Sequence, residues 1–426
     1  MSGKYRYVIA LLLFLAGAIN YMDRAALGVV APILNHDLNM TPAQLGVVFS
    51  SFFVGYSLFA FIGGYFADRF GPHRVFSFAM GGWSLVCGLT STATGFASLL
   101  VLRTLFGFGE GPMNSTTNRT ITNWFPREET ASIIGFTFSG QTVGSAITGP
   151  IVGFTALALG WRAAFVVIAV LGLVWLVAWR ILGSDRPADN RRVQPAELEL
   201  IQASRQRAHA TSEESADVSL KTLLMRPSTL GLAAGLFAGN YMLYVFISWM
   251  PSYFTQQLHL SIKTMSLVSM IPWLCGGIGF FGGGIVTDAV FRRMKDKLLA
   301  RKLSAVVPLG LSGLSIIAVS NSSSTPMTVG FVALAVLFLS ASLQACWATI
   351  HELIPAHHVG GVGGFIHLIA NMSGILGPTL MGLAVQYLGG YNSGFLLGAI
   401  IDAVGVLGIT LLIPSGMARG EPALDS

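Results

Sequence analysis

The chain has 426 residues, of which 53% are apolar and only 10% are charged, and its mean hydropathy is +0.68. A soluble domain carries about 25% charged residues, so the charges here are too few to cover a water-facing surface of this size. The composition excludes a soluble enzyme, a disordered scaffold and a nucleic-acid-binding protein. The three cysteines lie in apolar stretches and indicate no disulfide framework. We therefore predict an integral membrane protein in a lipid bilayer.

Apolar runs recur along the chain, each near the ~20 residues that are needed to cross roughly 30 Å of hydrocarbon. The first run continues past that length without a small-residue cleavage site, which favours a retained helix over a removed signal peptide. Twelve such runs predict twelve transmembrane helices, at residues 7–30, 43–66, 75–95, 98–121, 130–154, 162–183, 227–254, 263–287, 303–320, 326–350, 360–388 and 392–414.

Lysine and arginine are distributed unequally between alternate connections. One side of the predicted membrane carries 20 of them, whereas the other carries two, Arg162 and Lys263. Because cytoplasmic connections hold the excess of basic residues, both termini and the long middle connection are predicted to be cytoplasmic, in a bacterial-type inner membrane. The net charge of +6 is explained by this bias, and a nucleic-acid partner is not needed to account for it.

One long hydrophilic stretch separates six predicted helices from the next six. Pro195 suits the start of a helix, so 196–209 is predicted to be a short surface helix within this stretch. The predicted organisation is an N-terminal six-helix bundle at 1–183, a cytoplasmic linker at 184–226, a C-terminal six-helix bundle at 227–414 and a cytoplasmic tail at 415–426.

The two halves carry related sequence segments, which is common in transporters that are built from repeated units. Three pairs of segments recur at spacings of 220 to 230 residues: Gly64–Asp68 with Gly284–Asp288, Gly144–Gly153 with Gly374–Gly382, and Trp161–Phe165 with Tyr391–Phe395. The abundance of glycine, which is ordinary in membrane helices, does not explain a repeated spacing. The pattern indicates an internal structural repeat.

Three motifs resemble a known family. Gly64–Arg74 (GYFADRFGPHR) resembles the loop signature between the second and third helices of the major facilitator superfamily. Asn20–Arg24 (NYMDR) and Arg103–Pro112 (RTLFGFGEGP) resemble its anion:cation symporter family, which includes bacterial proton-coupled sugar-acid transporters; Trp249–Pro251 and the region of Asn371 agree with this. The resemblance covers essentially the whole chain. It implies an all-α membrane protein with twelve transmembrane helices in two six-helix bundles.

Asp23, Arg24, Arg103 and Glu110 lie inside predicted spans, where each buried charge costs a few kcal/mol or more. Arg103 and Glu110 are seven residues apart, roughly 10 Å along the helix axis, so their direct pairing is disfavoured. An ion pair between the first and fourth helices, using Asp23 or Glu110 and an arginine, is easier. Burial favours a protonated carboxyl and a neighbouring arginine favours an ionised one. An arginine that moves onto a substrate anion would therefore let the carboxylate take a proton. A purely structural ion-pair network is the alternative.

The resemblance also implies roles for individual residues. It implies proton coupling by Asp23, Glu110 and Arg103, substrate binding by Arg24, Tyr56, Gln141, Trp347, His367 and Asn371, and membership of the gating loops for Asp68, Arg69 and Asp288.

The chain departs from the family's sugar-acid members at two positions. Leu236 replaces a glutamine, and His367 replaces an asparagine. The loss of an amide lowers the capacity to bind substrate hydroxyls, so a less hydroxylated or partly apolar acid is a plausible substrate. His367 as a packing residue that bonds a carbonyl is the alternative. Asp402, alone in the last helix, is predicted to be a helix-contact or interface residue rather than a site residue.

The sequence segments that resemble enzyme motifs are incomplete or lie in the wrong structural context. His351-Glu352 lacks the second histidine of a zinc-protease motif, because that position is Pro355, and Gly107–Gly111 lies within a span with no strand before it. Neither a metal nor a cofactor is predicted. The sequence predicts a secondary transporter, active as a monomer, that imports an organic carboxylate with protons by alternating access. The alternatives are an anion exchanger, a sodium-coupled carrier and a non-transporting membrane sensor of the same anion.

Overall fold

The structure, a computed structural model, describes residues 4–210, 219–322, 324–354 and 358–413. Within these ranges the regular structure is entirely helical. The helices before the middle connection are α1 (Arg6–Leu38), α2 (Pro42–Phe70), α3 (Pro72–Leu89), α4 (Phe96–Glu110), α5 (Met113–Trp124), α6 (Arg127–Leu159) and α7 (Trp161–Leu182). The later helices are α8 (Pro195–Ala210), α9 (Leu220–Leu224), α10 (Pro227–Gln256), α11 (Ile262–Val268), α12 (Met270–Arg293), α13 (Lys297–Ser320), α14 (Thr325–Leu353), α15 (Val359–Tyr387) and α16 (Tyr391–Leu412).

Every predicted span corresponds to one helix or to two consecutive ones. By length and hydropathy, 11 helical segments of the described chain can cross a membrane, and α11 and α12 count as one of them. The predicted fourth span is divided into α4 and α5 at Gly111 and Pro112. Proline has no amide hydrogen to donate to the preceding turn, so it interrupts the helix there. Eleven of the twelve predicted spans correspond to these segments, and the fourth is the one that the structure divides into two shorter helices.

Contacts divide the described chain into two compact units, which we call unit 1 and unit 2. Unit 1 consists of the described residues of Met1–Ala216, Phe246–Met270 and Pro378–Tyr387, and unit 2 of those of Asp217–Val245, Ile271–Gly377 and Leu388–Ser426. The division therefore cuts through α10 and α15, whereas the predicted domain boundaries follow chain order. Those boundaries, including the tail at 415–426, which lies outside the described residues, stay a prediction.

In unit 1, glycines bring the helices that carry the charged residues into close contact. Gly144 of α6 lies against the carbonyl group of Ala18 in α1, and Gly107 of α4 lies against that of Phe52 in α2. A Cβ atom at either glycine would collide with the neighbouring backbone. Small residues allow transmembrane helices to approach this closely. These contacts hold α1 against α6 and α2 against α4.

The second half of α10 and the last turns of α15 also pack within unit 1. Trp249 donates its indole N–H to the carbonyl oxygen of Pro378 at 3.0 Å, and Thr379 donates to Ser50 of α2 at 2.8 Å. Gly28 of α1 lies against Ile247, whose carbonyl oxygen would be 2.5 Å from a Cβ atom at that position. These contacts cover the ends of α1 and α2 that residues 39–41 connect.

Helix α8 covers the opposite end of α1. Glu197 is fully buried, and its two carboxylate oxygens accept the backbone N–H groups of Tyr5 and Arg6 at 3.2 and 3.0 Å. The Arg6 guanidinium pairs with Glu197 at 3.2 Å and with Glu129 of α6 at 2.9 Å. The carboxylate thus satisfies amide groups that the first turn of a helix leaves unbonded. Helix α8 is in this way a packed part of unit 1.

In unit 2, α16 packs against α13 and the first half of α10. Gly405 of α16 lies against Ala238, and Gly398 lies against Met242, both of α10. On its other side, Asp402 of α16 lies beside Gly313 of α13. Small residues again set the distance between the helices.

Candidate transport site

A buried ion pair joins α1 to α4. Arg24 Nε donates to Glu110 Oε2 at 2.7 Å, and the two side chains are 5% and 0% exposed. This is a short, charge-assisted hydrogen bond of the strong kind. The pair connects the first and fourth helices, which is the arrangement that the sequence spacing favours over a pair between Arg103 and Glu110.

Aromatic rings surround the Arg24 guanidinium. Its central carbon lies 4.5 Å from the ring centroid of Tyr56, 4.9 Å from that of Phe52 and 5.1 Å from that of Tyr21. Aromatic faces attract a cation, and more strongly where water is excluded. The rings therefore help to hold the guanidinium in place beside Glu110.

Arg103 occupies a similar aromatic environment but makes no ion pair among the described residues. Its guanidinium carbon lies 5.0 Å from the ring centroid of Phe106 and 5.3 Å from that of Phe52. The side chain is buried, and its Nε atom has no hydrogen-bond partner. The Phe52 ring thus contacts both arginine side chains, Arg24 and Arg103.

Asp23 lies next to Arg24 in the sequence but faces a different neighbour. The Cys87 thiol of α3 donates to Asp23 Oδ1 at 3.3 Å, and both side chains are buried. Glu110 and Arg103 lie close enough to interact with its carboxyl group electrostatically. The two carboxyl groups that the sequence analysis selected, Asp23 and Glu110, therefore lie in one cluster and have different partners.

Asn20 completes this cluster one helical turn before Arg24. It is 1% exposed, and its amide group faces the Glu110 carboxyl group. The second carboxyl oxygen of Glu110, Oε1, is also buried. The Asn20 amide is therefore a polar neighbour of Glu110 on the α1 side of the cluster.

Tyr56 connects the cluster to α5. Its hydroxyl group accepts a hydrogen bond from Asn114 Nδ2 at 3.0 Å. Asn114 also lines a narrow cleft together with Thr117 and Gln141. The structure therefore brings Tyr56 close to the charged cluster. Gln141 and Asn114 line the same cleft.

The predicted site residues of unit 2 form a second, uncharged group. Tyr244 donates its hydroxyl hydrogen to Asn371 Oδ1 at 2.9 Å, and Asn371 Nδ2 donates to the carbonyl oxygen of His367 at 2.7 Å. The rings of Trp347 and His367 are 5.8 Å apart between centroids. Leu236 of α10 has no exposed surface. Three predicted substrate-binding residues, Trp347, His367 and Asn371, are thus neighbours.

The predicted gating-loop residues lie outside both groups and are exposed. Asp68 at the end of α2 pairs with Arg119 of α5 at 3.2 Å. Asp288 at the end of α12 pairs with Arg301 of α13 at 3.5 Å. Arg69 donates to the hydroxyl oxygen of Tyr65 at 3.0 Å. Each contact joins neighbouring helices or turns within one unit.

Asp402 is separate from the second group. It is fully buried, neither carboxyl oxygen has a hydrogen-bond partner, and Ser312 of α13 is its nearest polar neighbour. Its position at the contact between α13 and α16 is where the sequence analysis expected a helix-contact residue.

The structure adds residues that the sequence analysis did not assign to the site. Asn114 follows Glu110 by four residues, a spacing that would put both on one side of an unbroken helix and was a usable signal. Cys87 gave no such signal, because a cysteine in an apolar helix is ordinary. Asn20 was visible as part of a motif, but its position beside Glu110 is a property of the folded protein.

Comparisons with known proteins agree with this architecture. The family model of the Major Facilitator Superfamily matches residues 13–299. The hexuronate transporter of Bacillus subtilis is 40% identical over 399 residues, which are 93% of this chain and 92% of that protein. A probable sulfoacetate transporter of Cupriavidus necator is 30% identical over 420 residues, 96% of this chain and 94% of that protein.

A solved structure shows the same fold. The crystal structure of a bacterial homologue of the human lysosomal transporter Spinster, in an inward-facing and occupied conformation, has a TM-score of 0.77 at 18% identity and covers 97% of both chains. At this identity the match concerns the fold alone, which is an all-α membrane fold of twelve spans in two six-helix bundles. The predicted fold class and the family resemblance are both confirmed. The chain belongs to the Major Facilitator Superfamily and is a transporter rather than an enzyme.

Proposed function

We propose that this protein imports a sugar acid of the hexuronate type, or a related organic carboxylate, together with protons by alternating access. The membrane would be a bacterial inner membrane, with both chain termini in the cytoplasm. The names of two relatives, a hexuronate transporter and a probable sulfoacetate transporter, both denote small organic anions and support this substrate class. The observation that carries the proposal is the buried pair between Arg24 and Glu110.

The ion pair supplies a route for exchange between a substrate anion and a proton. A substrate carboxylate that binds Arg24 competes with Glu110 for the same guanidinium. Removing one member of a buried ion pair costs about 3–5 kcal/mol when the other is left charged. Glu110 avoids that cost by taking a proton. Binding of the anion and binding of the proton therefore favour each other at this pair.

Arg24 has the geometry that anion binding needs. A guanidinium has five N–H donors in a planar fork, and it can hold a carboxylate with two parallel hydrogen bonds. In the ion pair, Nε of this fork donates to Glu110 Oε2 at 2.7 Å. The rings of Phe52, Tyr21 and Tyr56 keep the fork oriented while an anion replaces the glutamate.

Asp23 and Arg103 have supporting roles in this proposal. Asp23 is a second carboxyl group near Glu110 and Arg103, and two carboxylates that share a site resist being ionised together. Arg103 compensates part of the negative charge of these carboxylates while Arg24 is bound to the substrate. We assign proton coupling to Asp23, Glu110 and Arg103, and anion binding to Arg24 with Tyr56 and Gln141.

The uncharged group of unit 2 is assigned to the rest of the substrate. Tyr244 and Asn371 offer hydroxyl and amide groups that bind sugar hydroxyls, and the ring of Trp347 offers a flat apolar surface. The His367 ring, whose centroid lies 5.8 Å from that of Trp347, is assigned to substrate binding as well. Asp68, Arg69 and Asp288 are assigned to conformational change, because their ion pairs and hydrogen bond lie at exposed helix ends.

The test is uptake by proteoliposomes that contain the purified protein. Labelled glucuronate and galacturonate would be compared with hexonates, a dicarboxylate and sulfoacetate under an imposed pH gradient, an imposed sodium gradient or neither. We expect accumulation of a hexuronate that follows the pH gradient and is accompanied by proton uptake into the vesicle. Accumulation that follows only the sodium gradient, or exchange without net uptake, would replace the proposal by one of its alternatives.

A further inference from the structure

Basic residues are concentrated in unit 2 where α12 ends and α13 begins. Six lysines and arginines lie at 288–302, together with two acidic residues, Asp288 and Asp296. The segment that the repeat spacing of 220 residues relates to this one, at 68–82, contains two lysines or arginines. The second half of the chain thus carries a local excess of positive charge that the repeated architecture does not require.

Three of the six basic side chains have a partner within unit 2. The Lys297 ammonium donates to a carbonyl oxygen in the last turn of α12 at 2.7 Å, and that of Lys302 donates to the carbonyl oxygen just after α16 at 2.8 Å. Arg301 pairs with Asp288 at 3.5 Å. The two lysines satisfy carbonyl groups that the end of a helix leaves unbonded. These three cations therefore have a structural role.

The other three, Arg292, Arg293 and Lys295, form what we call the α12–α13 basic cluster. They are exposed, and their side chains make no ion pair or hydrogen bond within the described part of the chain. The end of α12 carries about half a negative charge, and Lys297 is already bound there. The bias of basic residues toward one side of a membrane does not explain their concentration at a single connection. The cluster is thus an excess of charge that the folded chain does not use.

Arg292 lies at the end of an exposed apolar row on α12. Glycines pack this helix against α14, among them Gly283 against Ala341. The opposite side carries exposed apolar residues at spacings of three and four, which are Ile271, Leu274, Ile278, Phe281 and Ile285. Arg292 follows the last of these by seven residues, or two helical turns, and so lies on the same side. Exposed apolar surface of this extent marks a contact with lipid in a membrane protein.

Helix α13 presents a similar row on the other side of the connection. Ser342 of α14 donates to the carbonyl oxygen of Ala305 in α13 at 2.8 Å. Because Ser342 follows Ala341, the residue that Gly283 contacts, α12 and α13 pack on neighbouring sides of α14. The exposed apolar residues of α13 are Leu303, Val307, Leu311 and Leu314. Two apolar rows therefore run away from one basic connection.

We propose that the α12–α13 basic cluster binds the headgroup of an anionic phospholipid whose acyl chains lie along the exposed rows of α12 and α13. A guanidinium can bond two phosphate oxygens at once, and an ammonium adds a point charge. Basic residues beside a transmembrane helix attract anionic lipids, with a gain of about fivefold in affinity for each one. The cluster is distinct from the residues assigned to substrate and protons, so the inference does not depend on the proposed function.

The experiment measures lipid binding to the purified full chain in detergent by native mass spectrometry. Dioleoylphosphatidylglycerol is the anionic probe, and dioleoylphosphatidylcholine is the neutral one with the same acyl chains. We expect the anionic lipid to bind the wild-type protein about tenfold more tightly than the neutral one. Added salt should reduce this preference, because it screens exposed charges.

A triple variant, Arg292→Gln with Arg293→Gln and Lys295→Gln, removes the charge of the cluster. We expect its affinity for phosphatidylglycerol to fall about tenfold or more, with the affinity for phosphatidylcholine unchanged. Arg292→Lys with Arg293→Lys keeps the charge and should keep most of the preference. If the triple variant does not yield folded protein, Lys295→Gln alone is measured, with a loss of about fivefold expected.

The matched control is Arg180→Gln with Arg186→Gln and Arg191→Gln, in and after the last turn of α7. These arginines are also exposed, and the change removes the same total charge. The control should keep the wild-type preference for phosphatidylglycerol. An equal loss in the control would show that binding follows net charge alone, which overturns the inference.

Wild-type affinity for phosphatidylglycerol in the triple variant would also overturn the inference. Glycerol phosphate, which has an anionic head without acyl chains, is added as a competitor. It should not displace the lipid at concentrations near the dissociation constant of that lipid. Displacement at such concentrations would make the cluster a site for a free anion and would overturn the lipid assignment. Because transport is not measured, each of these outcomes leaves the proposed function untouched.

Discussion

The two units bury different kinds of polar side chain. At the α1–α4 contact, unit 1 buries Asp23, Arg24, Arg103 and Glu110 among aromatic rings. Unit 2 instead holds an uncharged chain of hydrogen bonds from Tyr244 through Asn371. Under the proposed function, this difference corresponds to a division of labour. Charge exchange is assigned to the first unit, and recognition of the uncharged part of a substrate is assigned to the second.

The repeat makes the comparison sharper at one position. Trp161–Phe165 and Tyr391–Phe395 are 230 residues apart, and the same spacing relates Gly172 of α7 to Asp402 of α16. Gly172 packs directly against Ser84 of α3. Asp402 instead lies beside Ser312 and Gly313 of α13. At this position the first half of the chain has a glycine that packs against the neighbouring helix, whereas the second half has a buried carboxyl group.

The largest effect is expected from Arg24→Lys, which keeps the charge of unit 1 and removes the planar fork. An ammonium is a point charge and cannot make two parallel hydrogen bonds to a carboxylate. We expect the affinity for the substrate to fall about a hundredfold, from the loss of one or two charge-assisted hydrogen bonds. Binding to detergent-solubilised protein by calorimetry measures this.

Arg162→Lys at the start of α7 is the matched control, because that arginine is half-exposed and lies over the Trp161 ring at 4.2 Å. It should bind like the wild-type protein. Wild-type affinity in Arg24→Lys would remove Arg24 from the anion-binding role.

A smaller change, in selectivity, is expected from Leu236→Gln combined with His367→Asn in unit 2. The two changes restore amides that can bond substrate hydroxyls. Each unpaired hydroxyl in an apolar part of a site costs about 1–3 kcal/mol, so preference should shift about tenfold or more toward polyhydroxylated acids. Competition by a panel of unlabelled acids against the native substrate measures the rank order. An unchanged order in an active double variant would mean that these positions do not read the substrate.

Tyr244→Phe tests the hydrogen bond at the centre of the uncharged group. The change removes the donor to Asn371 Oδ1 at 2.9 Å, which should weaken substrate binding about fivefold through the loss of about 1 kcal/mol of positioning. Tyr241→Phe is a close control, because the Tyr241 hydroxyl group lies on the same helix, is buried and has no partner. Equal effects of the two changes on the dissociation constant would show that the bond to Asn371 has no special role.

The smallest effect is expected from Asp402→Asn. If Asp402 is only a helix contact, an amide of the same shape should leave proton-driven uptake unchanged and shift the melting temperature by a few degrees at most, as for a change of about 0.5 kcal/mol. Uptake and thermal unfolding in detergent measure the two. Loss of proton coupling in this variant would mean that a charged residue of unit 2 also takes part in transport, and the contrast between the units would not hold.

The sequence predicted the helices well because a membrane span leaves an unambiguous trace, a long apolar run. It did not predict the break between α4 and α5, since Gly111 and Pro112 do not lower the apolar character of the run. It also did not reveal that Glu197 of α8 bonds the first turn of α1, a contact between residues that are 192 positions apart. Such a contact depends on the tertiary fold, which no local pattern encodes.

For the site, the sequence identified the charged residues but not their pairing. Two arginines and two carboxyl groups allow several ion pairs between the first and fourth helices, and helical spacing excluded only the one between Arg103 and Glu110. In the folded protein, Arg24 pairs with Glu110 and Asp23 accepts from Cys87. These pairings depend on how α1 packs against its neighbours, as at the contact of Ala18 with Gly144 of α6, and a single sequence does not disclose such contacts.

The central claim is that Glu110 exchanges a proton for its bond to Arg24, and Glu110→Gln tests it most directly. Glutamine resembles the protonated acid and has no proton to release. Accumulation of labelled glucuronate under an imposed pH gradient and substrate counterflow would be measured in the same proteoliposomes. The account predicts that accumulation above equilibrium is lost while counterflow persists at least in part. Accumulation of substrate against its gradient by this variant would contradict it.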